Sequence, residues 1–255
     1  MNATARLLLA AGAMLAAGVV PASAAGPAAE LPKQPWSFNG PFGTFDRASA
    51  QRGFQVYKEV CSSCHGMTRL YYRNLTALGL SEDQVKAIAA SVTVPGEIND
   101  EGVAVERAGL PSDHIRSPYA NDKAARAANG GALPPDQSLI VKAREGGADY
   151  IYGLLTGYRD PPAGVTVGDG LHYNLYMAGN QLAMAAPLTQ GSVTYADGTP
   201  ASVEQMSRDV SQFLMWASHP EMEERKRMGI KVVLFLTLLT GLTYALKKKI
   251  WKDVH

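Results

Sequence analysis

Two cysteines and a histidine stand together in the stretch EVCSSCHGMTRL, residues 59–70. Cys61 and Cys64 are the only cysteines in the chain, and His65 follows them directly. Thiols and an imidazole at this spacing serve three chemistries: a metal site, a redox dithiol or a covalently held haem. A structural zinc site needs four ligands, typically a second C-x-x-C or a histidine pair. No further cysteine exists, and His114, His172, His219 and His255 are scattered singly. A thioredoxin-like dithiol sits where a strand leads into a helix, whereas the approach here reads as helical. Haem requires nothing more. Two thiols three positions apart on one helical turn reach the two vinyl groups of a porphyrin, and the next residue brings its imidazole to the iron. C-x-x-C-H is a specific signal of c-type haem attachment.

An electron-carrying, histidine-ligated iron takes its sixth ligand from the opposite face. Met67 lies two residues from His65 and cannot swing to the far side. Met222 and Met228 adjoin a long apolar run, and Met206 and Met215 fall on or near an amphipathic helix, where methionine commonly fills core gaps. Met177 and Met184 remain, both in a loop. NQLAMAAPLTQG surrounds Met184 with small residues that let a flat macrocycle approach. On pattern alone the choice stays open between Met184, Met177 and a histidine.

Both ends of the chain are specialised. Arg6, an apolar run from Leu7 to Val20 and the small-residue site Ala22-Ser23-Ala24 have the layout of a cleaved secretory signal peptide. The expected leader is 1–24, with cleavage near Ala24 or Ala25, and the mature protein lies outside the cytoplasm. Near the other end, Met228 to Leu246 contains one charge, Lys231, at its edge, where the stem can snorkel. A membrane span needs roughly 20 apolar residues. Arg225-Lys226-Arg227, Lys247-Lys248-Lys249 and Trp251 supply interfacial anchors. The expected anchor is 225–249, with a cytoplasmic tail at 250–255. Basic residues balance across it, four on each side, so the leader sets the orientation: the large domain, 25–224, is exported.

The net charge of +1 hides an asymmetry. Residues 25–224 carry 15 lysines and arginines against 22 aspartates and glutamates, a net of −7, while 225–255 carries 8 basic residues and one acid. An acidic exported domain is soluble, and its field also favours a basic partner. Glu97, Asp100, Glu101, Glu106 and Asp113 form its densest acidic run.

These groups must be positioned by helices joined by long loops. Asp46 is a candidate N-cap for a helix running up to the cysteines through Phe54, Val56, Tyr57 and Val60. Ser81 and Gln84 form a capping box before Val85, Ile88 and Ala89. Asp136 caps an expected run through Leu139, Ile140 and Ala143, stopped by Gly146-Gly147. Thr199-Pro200 opens a long helix with an apolar face of Val203, Met206, Val210, Phe213, Leu214 and Ala217, and Pro220 divides it from the anchor. Stretches 92–135 and 157–198 are rich in glycine and proline without strong periodicity. Loops that long in a compact domain are usually functional. No repeat, low-complexity tract or phosphate-binding glycine loop is present.

In motif and order the chain resembles the cytochrome c1 family, bacterial type: the haem subunit of the ubiquinol–cytochrome c reductase (cytochrome bc1) complex. The stretches that carry the resemblance are WSFNGPFGTFDRASAQRGFQVYKEVCSSCH, AARAANGGALPPDQSLI, GADYIYGLLTGYRDPP, GLHYNLYMAGNQLAMAAPL, DGTPASVEQMSRDVSQFLMWASHPE and RKRMG. The resemblance implies a mainly helical, class I cytochrome c-like domain with long loop insertions and one C-terminal transmembrane helix. It implies one haem c on Cys61 and Cys64, with His65 as proximal and Met184 as distal iron ligand. Arg126 matches the arginine that pairs with a haem propionate in this family. The implied role is electron transfer from a Rieske iron–sulfur protein to cytochrome c, beside cytochrome b, in a dimeric complex. The implied place is the bacterial inner membrane with the haem domain periplasmic. The subunit would be no enzyme on its own, would need no general acid or base and would bind no nucleic acid. Rival readings are another membrane-anchored c-type cytochrome or an anchored thiol oxidoreductase. Some bacterial relatives brace the ligand-bearing loop with an additional cysteine pair; this chain has none, so packing must hold 157–198.

Overall fold

The structure, a computed structural model, describes residues 29–102 and 104–253. The expected leader, 1–24, lies outside the described residues. Six α-helices carry the described chain: α1 Arg47–Glu59, α2 Glu82–Ala90, α3 Asp122–Ala128, α4 Gly147–Thr156, α5 Val203–Ser218 and α6 Met222–Ile250. Three antiparallel strand pairs decorate the connections: β1 Met67–Tyr71 with β4 His114–Ile115, β2 Thr93–Ile98 with β3 Ala104–Ala108, and β5 His172–Tyr173 with β6 Gln181–Leu182. The protein is thus mainly helical.

Helix α1 starts where its cap dictates. The Asp46 carboxylate accepts from the Ser49 amide at 3.1 Å, satisfying a donor that the first turn leaves orphaned. Ala50, Gly53, Phe54, Val56 and Tyr57 are buried on one side, which packs along α5. Gly53 is required there: a Cβ would stand 1.9 Å from the Asp209 carbonyl oxygen. Phe54 and Tyr57 meet Phe213 at ring separations of 5.5 and 5.9 Å, and Trp216 stacks on Phe213 at 5.8 Å.

Helix α5 begins at Val203, capped by the Ser202 hydroxyl accepting from the Gln205 amide at 3.1 Å. Thr199-Pro200 therefore leads into the helix without opening it. Eleven of its sixteen residues are buried, so it is a central element covered on more than its apolar face. The segment 34–37 covers part of the polar side: Arg208 donates to Gln34 at 2.9 Å and Gln212 to Ser37 at 3.2 Å.

The helix expected after Asp136 does not form. Residues 138–143 make successive tight turns, and Gly146-Gly147, read as a stop, instead opens α4 with φ of 84° and 56°. Both values lie in the left-handed region that glycine adopts freely. Asp136 is engaged elsewhere, as described below. The capping box at Ser81 and Gln84 is present, with both reciprocal bonds made, at 3.2 and 2.8 Å.

Helix α6 follows the break at Pro220 and has 29 residues, a length of about 44 Å at 1.5 Å per residue. Its apolar window has a mean hydropathy of 1.8 and is covered by nothing among the described residues. Thr237, Thr240 and Thr243 donate their hydroxyls back to the carbonyls of Val233, Leu236 and Leu239 at 2.7–2.9 Å. Self-satisfied hydroxyls suit a surrounding without water.

Candidate haem site

The cysteines lie where α1 gives way to one turn of 3-10 helix, Cys61–Ser63. The Cys64 and His65 amides both donate to the Cys61 carbonyl, at 3.1 and 2.8 Å. This fold-back sets the imidazole immediately beyond the second thiol. The Tyr57 hydroxyl, buried in α1, donates to the His65 carbonyl at 3.1 Å. Burial keeps that phenol far above its usual range, so it remains a donor.

The His65 ring is buried, with 9% of its residue surface exposed. Its Nδ1 lies 2.8 Å from the Pro135 carbonyl oxygen. A carbonyl can only accept, so Nδ1 carries the proton and Nε2 keeps its lone pair. Burial lowers the pKa of the ring, although the Pro135 carbonyl and Asp136 oppose the shift. The result is a neutral, oriented imidazole with one free donor atom, the usual dress of a metal-ligating histidine.

The segment that supplies Pro135 is itself fastened to the turn. The Gln137 amide donates to the Gly66 carbonyl at 2.8 Å. Asp136 accepts from the Thr68 amide and hydroxyl at 2.8 and 2.9 Å and from the Ser138 amide at 2.8 Å. Burial pushes that carboxyl up, yet these bonds outweigh it and hold it below the ordinary range. Gly66 leaves little room for a side chain, with Ser117 3.1 Å and Asp136 3.3 Å from an added Cβ.

Cys61 is partly buried, and burial, helped by Cys64, pushes its thiol up to about 12. A thiol protonated at neutral pH is a poor nucleophile, which disfavours the dithiol-oxidoreductase reading. Among the described residues no group of three or more His, Cys, Asp or Glu could hold a metal ion. The donor set that remains, two thiols and one Nδ1-protonated imidazole, fits a c-type haem.

The two loop methionines differ. Met177 lends its sulfur to the Tyr150 hydroxyl at 3.3 Å. Met184 is held through its backbone: the Tyr158 hydroxyl donates to its carbonyl at 3.0 Å, and its sulfur accepts no hydrogen bond among the described residues. Met206 and Met67 are fully buried core residues. Met184 stands on a separate segment from the cysteine turn, and no hydrogen bond joins the two among the described residues. Arg126 is exposed near the end of α3 and donates to the Gly131 carbonyl at 2.9 Å. It thus steadies the start of the loop whose end, Pro135, holds His65.

Three contributors escape a reading of residue types alone: the Pro135 carbonyl and the hydroxyls of Tyr57 and Tyr158. The Pro134-Pro135 pair in GGALPPDQSL was the only local signal for the first. The acidic run also changes. Asp113 is held by both Arg107 guanidinium nitrogens at 2.7 Å, and this pair draws its carboxyl down to about 2. Glu97, Asp100, Glu101 and Glu106 stay exposed on the β2–β3 hairpin.

Residues 36–254 match the Cytochrome C1 family. The chain is 48% identical to cytochrome c1 of Rhodospirillum rubrum over 265 residues, covering 98% of this chain and 97% of the relative. It is 51% identical over 234 residues to a mitochondrial cytochrome c1 heme protein of Neurospora crassa, covering 90% of this chain and 70% of that one. A protein named cytochrome b/c1 from Bradyrhizobium diazoefficiens is 46% identical over 270 residues, which is 97% of this chain but 39% of the longer relative.

Proposed function

Because the chain belongs to the cytochrome c1 family, we propose that it carries one covalent haem c as the electron-transfer subunit of a quinol:cytochrome c reductase (bc1) complex. In this reading it takes an electron from a Rieske iron–sulfur protein and passes it to cytochrome c. The observation that supports the reading is the 2.8 Å bond from His65 Nδ1 to Pro135, which leaves the Nε2 lone pair available for a ligand.

When bound, haem supplies a one-electron iron couple. Cys61 and Cys64 would hold it through thioethers, and His65 Nε2 would be the proximal donor. The Pro135 carbonyl keeps the proton on Nδ1 and makes the ring a stronger donor. Met184 would be the distal donor, its position held by Tyr158. A methionine and a histidine ligand together would raise the potential of a c-type haem, as a carrier downstream of quinol requires. Arg126 would neutralise a propionate by a charge-assisted bond. No side chain has to move a proton, and the subunit is no enzyme on its own.

Residues 1–24 would be a cleaved leader, 25–224 the periplasmic haem domain, 225–249 the anchor and 250–255 a cytoplasmic tail. The bacterial inner membrane would hold the chain by α6, beside cytochrome b in a dimeric complex. The joined name of the Bradyrhizobium relative supports the pairing with cytochrome b.

The acceptor side has its own test. The exposed acids of the β2–β3 hairpin would steer a basic cytochrome c, through fields screened beyond roughly 8 Å at physiological salt. Stopped-flow oxidation of the reduced, detergent-solubilised chain by a basic cytochrome c should slow as ionic strength rises. Charge reversal at Glu97, Asp100 and Glu101 should flatten that slope and leave the haem spectrum intact. A wild-type rate independent of salt would remove the steering role.

A further inference from the structure

The turn 39–43 presents an apolar tip that the electron-transfer reading leaves without a task. Phe42 is 79% exposed, the most exposed of the large apolar side chains among the described residues. The turn is tight: the Gly43 amide donates to the Gly40 carbonyl at 3.4 Å, across Pro41 and Phe42. Proline in the second position of such a turn sets its shape. Gly43 has no room for a side chain, since a Cβ would stand 2.1 Å from the Asn39 carbonyl oxygen. The Phe42 ring is thus carried outward by a stiff loop.

That loop is tied to the first turns of α6 at two levels. Glu223 accepts from the Phe45 amide at 2.7 Å and pairs with Arg47 at 2.8 Å. Lys226 donates to the carbonyls of Phe38 at 2.5 Å and Gly43 at 3.1 Å. From Glu223 to Lys226 the helix advances about 4.5 Å toward its apolar run. The chain from Phe45 to Gly43 follows the helix toward that run, and Phe42 is the next residue after Gly43 in that direction of the chain. The apolar run opens at Met228, only about 3 Å further along the helix than Lys226. Arg225 and Arg227, both exposed and flanking Lys226 in the sequence, would meet anionic headgroups.

We infer that Phe42 is a second membrane contact, inserted into the phospholipid interface beside α6. The inference rests on the reading of α6 as a membrane anchor. An exposed aromatic ring on a rigid turn, fastened to the helix at the level of its basic flank, resists rotation and tilting of the domain once it is seated in lipid.

The experiment uses the full, haem-loaded chain in vesicles of phosphatidylcholine and phosphatidylglycerol. Nitroxide labels are placed at Phe42→Cys, at Leu238→Cys in the middle of α6 and at Asp100→Cys on the acidic hairpin. Collision with dissolved oxygen and with a water-soluble nickel chelate is then compared. The label at 42 should favour oxygen over the chelate, between the values at 238 and 100. Chelate access at 42 equal to that at 100, with 238 still protected, overturns the inference and leaves the anchor standing. Protection at 42 that appears only in the multi-subunit complex, and not in vesicles, assigns the tip to a protein partner and also overturns it. Chelate access at 238 removes the anchor itself, and the inference with it.

Discussion

Met177 and Met184 lie in the same glycine-rich stretch, and residue types do not choose between them. What distinguishes them is the occupancy of their sulfurs: Tyr150 uses that of Met177, while Tyr158 holds the backbone of Met184 and leaves its sulfur for another partner. Met184→Leu should therefore leave haem attached through Cys61 and Cys64, drop the potential and open the iron to imidazole or carbon monoxide. The fall should be tenths of a volt, within the ~0.8 V that axial ligands span. Redox titration showing Met184→Leu unchanged and Met177→Leu lowered would reverse the assignment. Arg126 invites a second comparison. If it pairs with a propionate, Arg126→Ala lowers both the potential and the thermal midpoint of the haem domain, and Arg126→Lys restores part of each, because only a guanidinium binds a carboxylate in a fork. Wild-type values in Arg126→Ala would leave it as a surface group closing the end of α3 on Gly131. At this scale the thiols and the imidazole were legible because their spacing is the chemistry. The Pro135 carbonyl was not, since a backbone oxygen 70 positions away leaves no mark on the motif.

Among the elements, α1 matters most because it delivers the cysteine turn, and a buried charge cluster fixes it to α5. Asp209 is fully buried. It accepts from Ser49 at 2.7 Å, from two Arg52 nitrogens at 2.9 and 3.0 Å and from Gln205 at 3.0 Å. The hydrogen bond to Asp209, aided by Asp197, holds the Arg52 guanidinium firmly protonated. Deleting one partner of a fully buried pair costs about 3–5 kcal/mol, and the cost here is smaller because Arg52 is only partly buried and keeps Asp197 at 2.9 Å. Asp209→Ala should destabilise the domain by less than that, seen as an earlier loss of haem-ligand absorbance in a guanidinium titration. An unchanged midpoint would mean that aromatic packing alone holds α1. Helices α1 and α2 were legible from caps and apolar period, and α5 from its apolar period alone, since its cap is Ser202 rather than Thr199-Pro200. The turns after Asp136 imitate a helix in their spacing of Leu139, Ile140 and Ala143, but Asp136 spends its oxygens on Thr68 and Ser138. The β2–β3 hairpin was hidden because Pro95 and Gly96 within β2 argue against a strand.

For the whole molecule, the long apolar C-terminal helix was legible because length, hydropathy and basic flanks are properties of long segments. How the segment 38–47 is tied to that helix was not, because Glu223 and Lys226 look like ordinary flank charges until they are seen holding Phe45, Arg47, Phe38 and Gly43. The central claim is that one chain both spans the membrane and carries a covalent c-type haem on Cys61 and Cys64. The most direct measurement is a haem stain of the full chain, isolated from membranes and run on a denaturing gel, with a thiol alkylation on the same sample. Haem should stay with the polypeptide, and neither cysteine should be alkylated, since both sulfurs would be thioethers. Loss of the stain on denaturation, with two thiols free to alkylate, would contradict it.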